Sequence, residues 1–130
     1  MDLSVSKYSH LKYTVKLTDF NTVNALTVDV PLDTLPPGAV IMNHMIKAST
    51  ALSGGGTTAQ TGRLKLNGSL IGAGTTSLAN TTGAIDVTQA AGQLAGTNAL
   101  ALTLVVATAN LNTVTAGQVD VIINYAVLAP

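Results

Sequence analysis

Apolar and polar side chains alternate along most of the chain. Between residues 11 and 18 the odd positions are apolar and the even positions are Lys or Thr, and residues 26–30 repeat the alternation. A period of two is typical of a strand with one solvated face. Residues 98–107 and 118–127 form two further, strongly apolar strands. About eight strands and no amphipathic helix are expected, which predicts an all-β fold: a single antiparallel β-sandwich, jelly-roll-like.

Turn residues separate these strands. Asn67-Gly68 lies between two short alternating runs, and this dipeptide is typical of a type I′ β-hairpin. Residues 36–38, Pro-Pro-Gly, predict a stiff turn because the prolines fix φ and the glycine permits positive φ. Pro31 has no N–H to donate, so the second strand is expected to end there or to lie at a sheet edge.

The composition narrows the functional classes. The chain has 130 residues, of which 47% are hydrophobic, enough for one domain with a real core. Only 9% are charged, against about 25% in an average soluble domain. The formal net charge is zero, so binding to nucleic acid or to an anionic membrane is not the first hypothesis. There is no cysteine, and the 3% aromatic residues are too few for a stacking platform.

One late strand lacks charge on both faces. Its even positions from residue 100 to 106 are Leu or Val, and the opposite face carries Ala99, Ala101, Thr103 and Val105. One interpretation is a central strand beneath a loop, or an Ala/Thr surface that water tolerates. The other is a face covered by another subunit, because the cores of interfaces are depleted of charge. We predict these four residues as the self-association surface.

The first residues of the chain precede the first regular strand. We expect residues 1–10 to form an N-terminal arm and residues 11–130 a single β-sandwich domain. The arm is predicted to dock the protein on a larger assembly through Asp2, Leu3, Val5, Lys7 and Tyr8. The start of the chain lacks the basic and apolar regions of a signal peptide, and no apolar run is long enough to span a bilayer. We therefore expect synthesis in the cytoplasm and no membrane partner.

Catalytic and metal-binding patterns are weak. His10 and His44 are the only histidines, and no G-x-S-x-G nucleophile elbow is present. A triad assembled from distant positions cannot be judged from residue counts, but structural roles for both histidines are expected. Without cysteine and without a calcium-loop pattern, a metal site has little support. We predict no enzyme activity, no cofactor and no metal.

Three other patterns have ordinary explanations. Residues 54–59, Gly-Gly-Gly-Thr-Thr-Ala, fit G-x-G-x-x-A, but no helix start follows, so a flexible loop is predicted. Asn67 and Asn80 begin N-glycosylation sequons, which are interpreted as turn chemistry. Lys12 and Lys16 share one strand face, either as a small basic patch for a phosphate backbone or an acidic partner, or as a solvated face that protects an edge.

Two blocks of the sequence resemble a known class of proteins. Residues 35–41, Leu-Pro-Pro-Gly-Ala-Val-Ile, and residues 111–127, with Thr-Ala-Gly before alternating valines and a tyrosine, are similar to small virion structural proteins of tailed bacteriophages. The resemblance is greatest to head decoration, or cement, proteins. It implies a β-sandwich or jelly roll on the capsid exterior, commonly trimeric, with the major capsid protein as partner. It supplies no catalytic residues.

These observations lead to one main hypothesis and two rivals. The chain is predicted to be a non-enzymatic head decoration protein, located on the virion capsid surface, that self-associates as a trimer and stabilises the capsid lattice. The first rival is a carbohydrate-binding or a fibre or tail accessory β-sandwich, although sugar sites usually need aromatic rings. The second is a hydrolase on a small β-barrel that uses the histidines.

Overall fold

The computed structural model describes residues 5–72, 74–86 and 98–128. Within these residues the regular structure is β-strand, apart from two short 3-10 turns at Leu17–Asp19 and Leu111–Thr113. The strands are β1 (Val5–Lys16), β2 (Thr27–Leu35), β3 (Ala39–Ser53), β4 (Gln60–Leu66), β5 (Ser69–Leu70), β6 (Thr76–Ser77), β7 (Ala84–Asp86), β8 (Asn98–Val106) and β9 (Ala116–Leu128). The predicted all-β class is confirmed.

The strands form two antiparallel sheets. Sheet A has the order β1-β9-β3-β7, and sheet B has the order β2-β8-β4-β5, with β6 also paired to β4. The long strands alternate between the sheets as the chain advances, so neighbours in each sheet are distant in sequence. This order is that of a double-sheet jelly roll, in which two packed sheets share one core. The predicted β-sandwich, jelly-roll-like, is confirmed.

The core lies between the sheets and is almost entirely aliphatic. Odd residues 119–125 of β9 and even residues 100–106 of β8 point inward and are buried, as their period-two patterns predict. Phe20, which follows the first 3-10 turn, is fully buried and closes one end of the core. Because each long strand has its apolar side toward the other sheet, its second side is available to solvent or to a partner.

The turns are those that the residue types demand. Asn67 and Gly68 have φ of +51° and +83° and connect β4 to β5, the type I′ hairpin that was predicted. Pro31 lies in β2, which is an edge of sheet B, and the register shifts between Pro31 and Asp33. An edge strand tolerates the missing N–H of proline, and the register shift marks a β-bulge that locally interrupts the inter-strand hydrogen bonds.

The glycine loop is a structural loop. Gly54, Gly55 and Gly56 have positive φ, and β4 follows after three residues without regular structure rather than after a helix. A Cβ on Gly54 would collide with the Thr115 side chain, and one on Gly55 would collide with the Thr113 side chain. Glycine is therefore required both by the backbone conformation and by the close approach of the neighbouring segment.

Two strands are longer than the sequence pattern indicates. The boundary between arm and domain at residues 10 and 11 falls inside β1, because residues 5–10 continue the pairing with β9. β3 continues past Lys47 to Ser53, since its pairing with β9 extends past two register shifts there.

Candidate interaction surfaces

The predicted self-association surface is the outer side of β8, the second strand of sheet B. Ala99 is exposed, Ala101 is half-buried and Val105 is 38% exposed, so all three face outward as predicted. Thr103, in contrast, is only 6% exposed. The outward direction follows from the alternation within β8, but the burial of Thr103 is caused by its neighbours.

Those neighbours bring charge onto this surface. Asp29 of β2 accepts a hydrogen bond of 2.7 Å from the Thr103 hydroxyl and one of 2.9 Å from the Lys65 ammonium of β4. The ion pair therefore crosses over β8 from one neighbouring strand to the other. The hydrogen bond from Lys65, followed by that from Thr103, lowers the pKa of Asp29. β8 itself carries no charged side chain, as its sequence shows, and the charges on this face come from the strands on either side of it.

The outer side of sheet A is organised in rows that cross the strands. In one row the His10 ring nitrogen Nδ1 lies 2.8 Å from the Asn124 oxygen, and the Asn124 amide donates to the Asn43 oxygen at 2.7 Å. These residues are opposite one another in the register of β1, β9 and β3. The row uses side chains separated by up to 114 positions, so no sequence motif announces it.

The next row is apolar. Ile122 of β9 is opposite Met45 of β3, and Met45 is opposite Ile85 of β7. Ile122 and Met45 are half-buried, while Ile85 is 66% exposed, the highest value among the large exposed hydrophobic side chains of the described residues. Lys12 of β1 completes the row on the far side of Ile122. The row spans roughly 10 Å from Ile122 to Ile85, since adjacent strands lie about 4.8 Å apart.

The third row is charged. Asp120 of β9 accepts a hydrogen bond of 3.0 Å from the Thr14 hydroxyl and lies 3.9 Å from the Lys12 ammonium. Lys47 of β3 is opposite Asp120, and Lys16 lies further along the outer side of β1; both are exposed. This side of the sheet therefore carries three lysines and one aspartate on its described side chains. We refer to the three rows and Lys16 as the sheet A face.

A groove of about 540 Å³ opens at the side of the sandwich where β1 and β2 are both edge strands. Tyr13 of β1 lines it and donates a hydrogen bond of 3.4 Å to Asp33 of β2. Burial raises the pKa of Tyr13 to about 12, and the Asp33 charge and hydrogen bond act in the same direction. The hydrogen bond ties the two sheets together at their open side.

The two histidines do not share a site. His10 is on the outer side of sheet A, whereas His44 is 4% exposed and lies among the inward-facing residues of β3. Among the described residues there is no cluster of three metal-ligating side chains. A second, shallow depression of about 270 Å³ is lined by hydroxyl and amide groups and glycine: Thr75, Thr76, Ser77, Asn80, Thr82 and Gly83.

The predicted docking residues fall into two groups. Asp2 and Leu3 lie outside the described residues. The backbones of Val5, Lys7 and Tyr8 belong to β1 and pair with the end of β9. Their role in docking stays a prediction, but from Val5 onward the segment is part of the sheet.

Sequence reasoning missed the sheet A face. The only sequence signals were the shared face of Lys12 and Lys16 and the apolar residues at the outward positions of β3 and β9. None of them reveals that Ile85, Met45 and Ile122 are adjacent, because the register between strands decides it. Across the described residues, no helix has the length and apolar character needed to cross a bilayer.

Comparison with known proteins identifies a similar fold. No family model and no curated protein sequence matches the chain. A chain in the solved structure of the Cyanophage Pam1 capsid asymmetric unit is similar, with a TM-score of 0.56 and 21% sequence identity. The similarity covers 97% of this chain and 85% of that chain. The two chains therefore share the fold over nearly the whole length of this one.

Proposed function

We propose that this chain is a non-enzymatic structural protein of a virion, which decorates the capsid surface as a trimer and braces neighbouring capsid subunits. One observation carries the proposal: its fold matches, over 97% of its length, a chain of a cyanophage capsid. Little of this chain is therefore left over for another domain. The resemblance of residues 35–41 and 111–127 to phage virion proteins points independently in the same direction.

The physical character of the chain suits a bracing role. Only 9% of its residues are charged, so covering its surface with protein requires little desolvation of ions. Two regular sheets present preformed surfaces, which lowers the conformational entropy lost on docking. A protein that binds only the assembled lattice stabilises that lattice by mass action.

We place the self-association of the proposal on the outer side of sheet B. Ala99 and Val105 are accessible there. The charges of Lys65 and Asp29, which meet over β8, neutralise each other. Arg63, on the same side of β4 as Lys65, donates to the carbonyls of Ile71 and Gly72. Sedimentation equilibrium is expected to give a trimer for the wild type and a shift toward monomer for Val105→Asp. A wild type that is monomeric at micromolar concentration would refute the trimer.

The test of the virion role uses particles of the virus that encodes the chain. Mass spectrometry of purified particles should detect the protein at a stoichiometry that matches the capsid lattice. Particles lacking it should release their genome at a lower temperature than complete particles. Adding the purified protein should raise the release temperature to that of complete particles. Absence of the protein from purified particles would overturn the proposal.

A further inference from the structure

We infer that the sheet A face binds an acidic protein surface with an apolar centre, and that this surface belongs to the capsid lattice. The inference rests on the proposed function and adds to it which face docks and what chemistry the partner offers. Two features of the face carry it: the apolar row and the excess of lysine around that row.

The apolar row has the position expected of the centre of an interface. Ile122, Met45 and Ile85 are adjacent by register, and Ile85 is largely open to water. On one side lies the hydrogen-bonded row of His10, Asn124 and Asn43, and on the other the charged row with Asp120. Apolar side chains surrounded by polar groups that already have partners form an arrangement typical of protein–protein contacts.

The charge of the face specifies the partner. Lys12, Lys16 and Lys47 are exposed, and the Asp19 carboxylate beside Lys16 accepts from the Lys16 backbone N–H at 2.8 Å. On the sheet itself the lysines face one carboxylate, Asp120, which already accepts from Thr14. Its ion pair with Lys12 is long, at 3.9 Å. Among the described side chains, Lys16 and Lys47 form no ion pair. A net charge of this sign favours a partner with carboxylates around the contact.

The same charge argues against two other occupants. A second copy placed face to face would oppose lysine to lysine, which is repulsive. Nucleic acid would complement the lysines, but its phosphate backbone offers nothing to the apolar row, and the overall charge of the chain is zero. A protein surface with both acidic and apolar groups satisfies both features.

The experiment measures binding of the full-length chain to particles purified without it, by co-sedimentation over a range of salt concentrations. Ile85→Asp is expected to weaken binding by roughly 30-fold or more, as loss of a central apolar contact does. Lys47→Glu is expected to weaken binding several-fold at low salt and to flatten the salt dependence. Leu26→Asp is the matched control, because Leu26 is also an exposed apolar residue, at 46%, and lies outside both faces. It should bind like the wild type.

The outcomes separate this inference from the proposed function. If the wild type does not bind the particles, both fail. If the wild type binds the particles and both Ile85→Asp and Lys47→Glu bind as well as the wild type, only the assignment of the face is wrong. If the wild type binds a 30-base-pair DNA duplex and Lys47→Glu does not, the partner of this face is nucleic acid and not an acidic protein. Far-UV circular dichroism and the unfolding midpoint confirm that each variant is folded.

Discussion

The contacts of Asp29 allow two interactions on one carboxylate to be compared. The hydroxyl of Thr103 donates to Asp29 at 2.7 Å, and the ammonium of Lys65 donates to it at 2.9 Å. Thr103→Val removes the first donor with little change of shape, and Lys65→Met removes the second while keeping most of the aliphatic stem. We expect Thr103→Val to reduce the free energy of unfolding more than Lys65→Met does.

The magnitudes follow from exposure. A hydrogen bond to a charged group contributes about 1.5–3 kcal/mol. The Thr103 donor is buried, but the Asp29 side chain is 46% exposed and keeps access to water, so the lower end, about 1.5 kcal/mol, is expected. The ion pair with Lys65 is partly exposed and orders a long side chain. Such pairs contribute about 0.2–1 kcal/mol.

The assay is urea unfolding of the wild type, both single variants and the double variant at pH 7. The double-mutant cycle gives the coupling between the two donors. The measurement is repeated at lower pH, since the folded-state pKa of Asp29 is below its ordinary value of 3.8. The stabilisation by Asp29 is therefore complete above about pH 5 and is lost as the pH falls through the lowered pKa.

Two results would refute this reasoning. The first is a loss for Lys65→Met that equals or exceeds the loss for Thr103→Val, because exposure would then not decide the ranking. The second is a difference between wild type and Thr103→Val that is unchanged in strong acid, because the carboxylate would then not be the acceptor that matters.

Three further predictions concern the edge, the turn and the core. The pKa of Tyr13 is raised in the folded state, so the unfolded state loses this proton first as the pH rises from 10 to about 12, and the free energy of unfolding should fall over that interval. In alkaline unfolding measurements Tyr13→Phe should lose less stability than the wild type over the same interval. Gly68→Ala should cost about 1 kcal/mol by urea unfolding, because a Cβ there meets no atom within 4 Å but φ is +83°. Gly56 is equally open and has φ of +80°, so Gly56→Ala should show a similar cost, and no cost at either position would contradict the backbone explanation. Leu102→Ala should lower the free energy of unfolding by about 2–5 kcal/mol, since Leu102 is fully buried between the sheets. A thermal or urea midpoint near the wild-type value would show that the core is not packed there.

The fold class could be predicted because its signals are local. Alternation in β8 and β9 identified their buried sides correctly, and Asn67-Gly68 located the hairpin, since both depend only on residues close in sequence. The division into arm and domain stays a prediction, and the start of β1 within the predicted arm has no such local signal. Nothing within residues 5–10 reveals that they pair with the end of β9, more than a hundred positions away.

The interaction surfaces show the same division more sharply. The local pattern is enough to predict which side of each long strand faces outward, because side chains alternate along a strand with a period of two. Which outward side chains meet depends on the packed fold. Register across the sheets brought Lys65 and Asp29 over β8, and it aligned Ile122, Met45 and Ile85 into one row. Register is set by the packing of the whole sandwich, so neighbours across strands are a property of the fold and not of any segment.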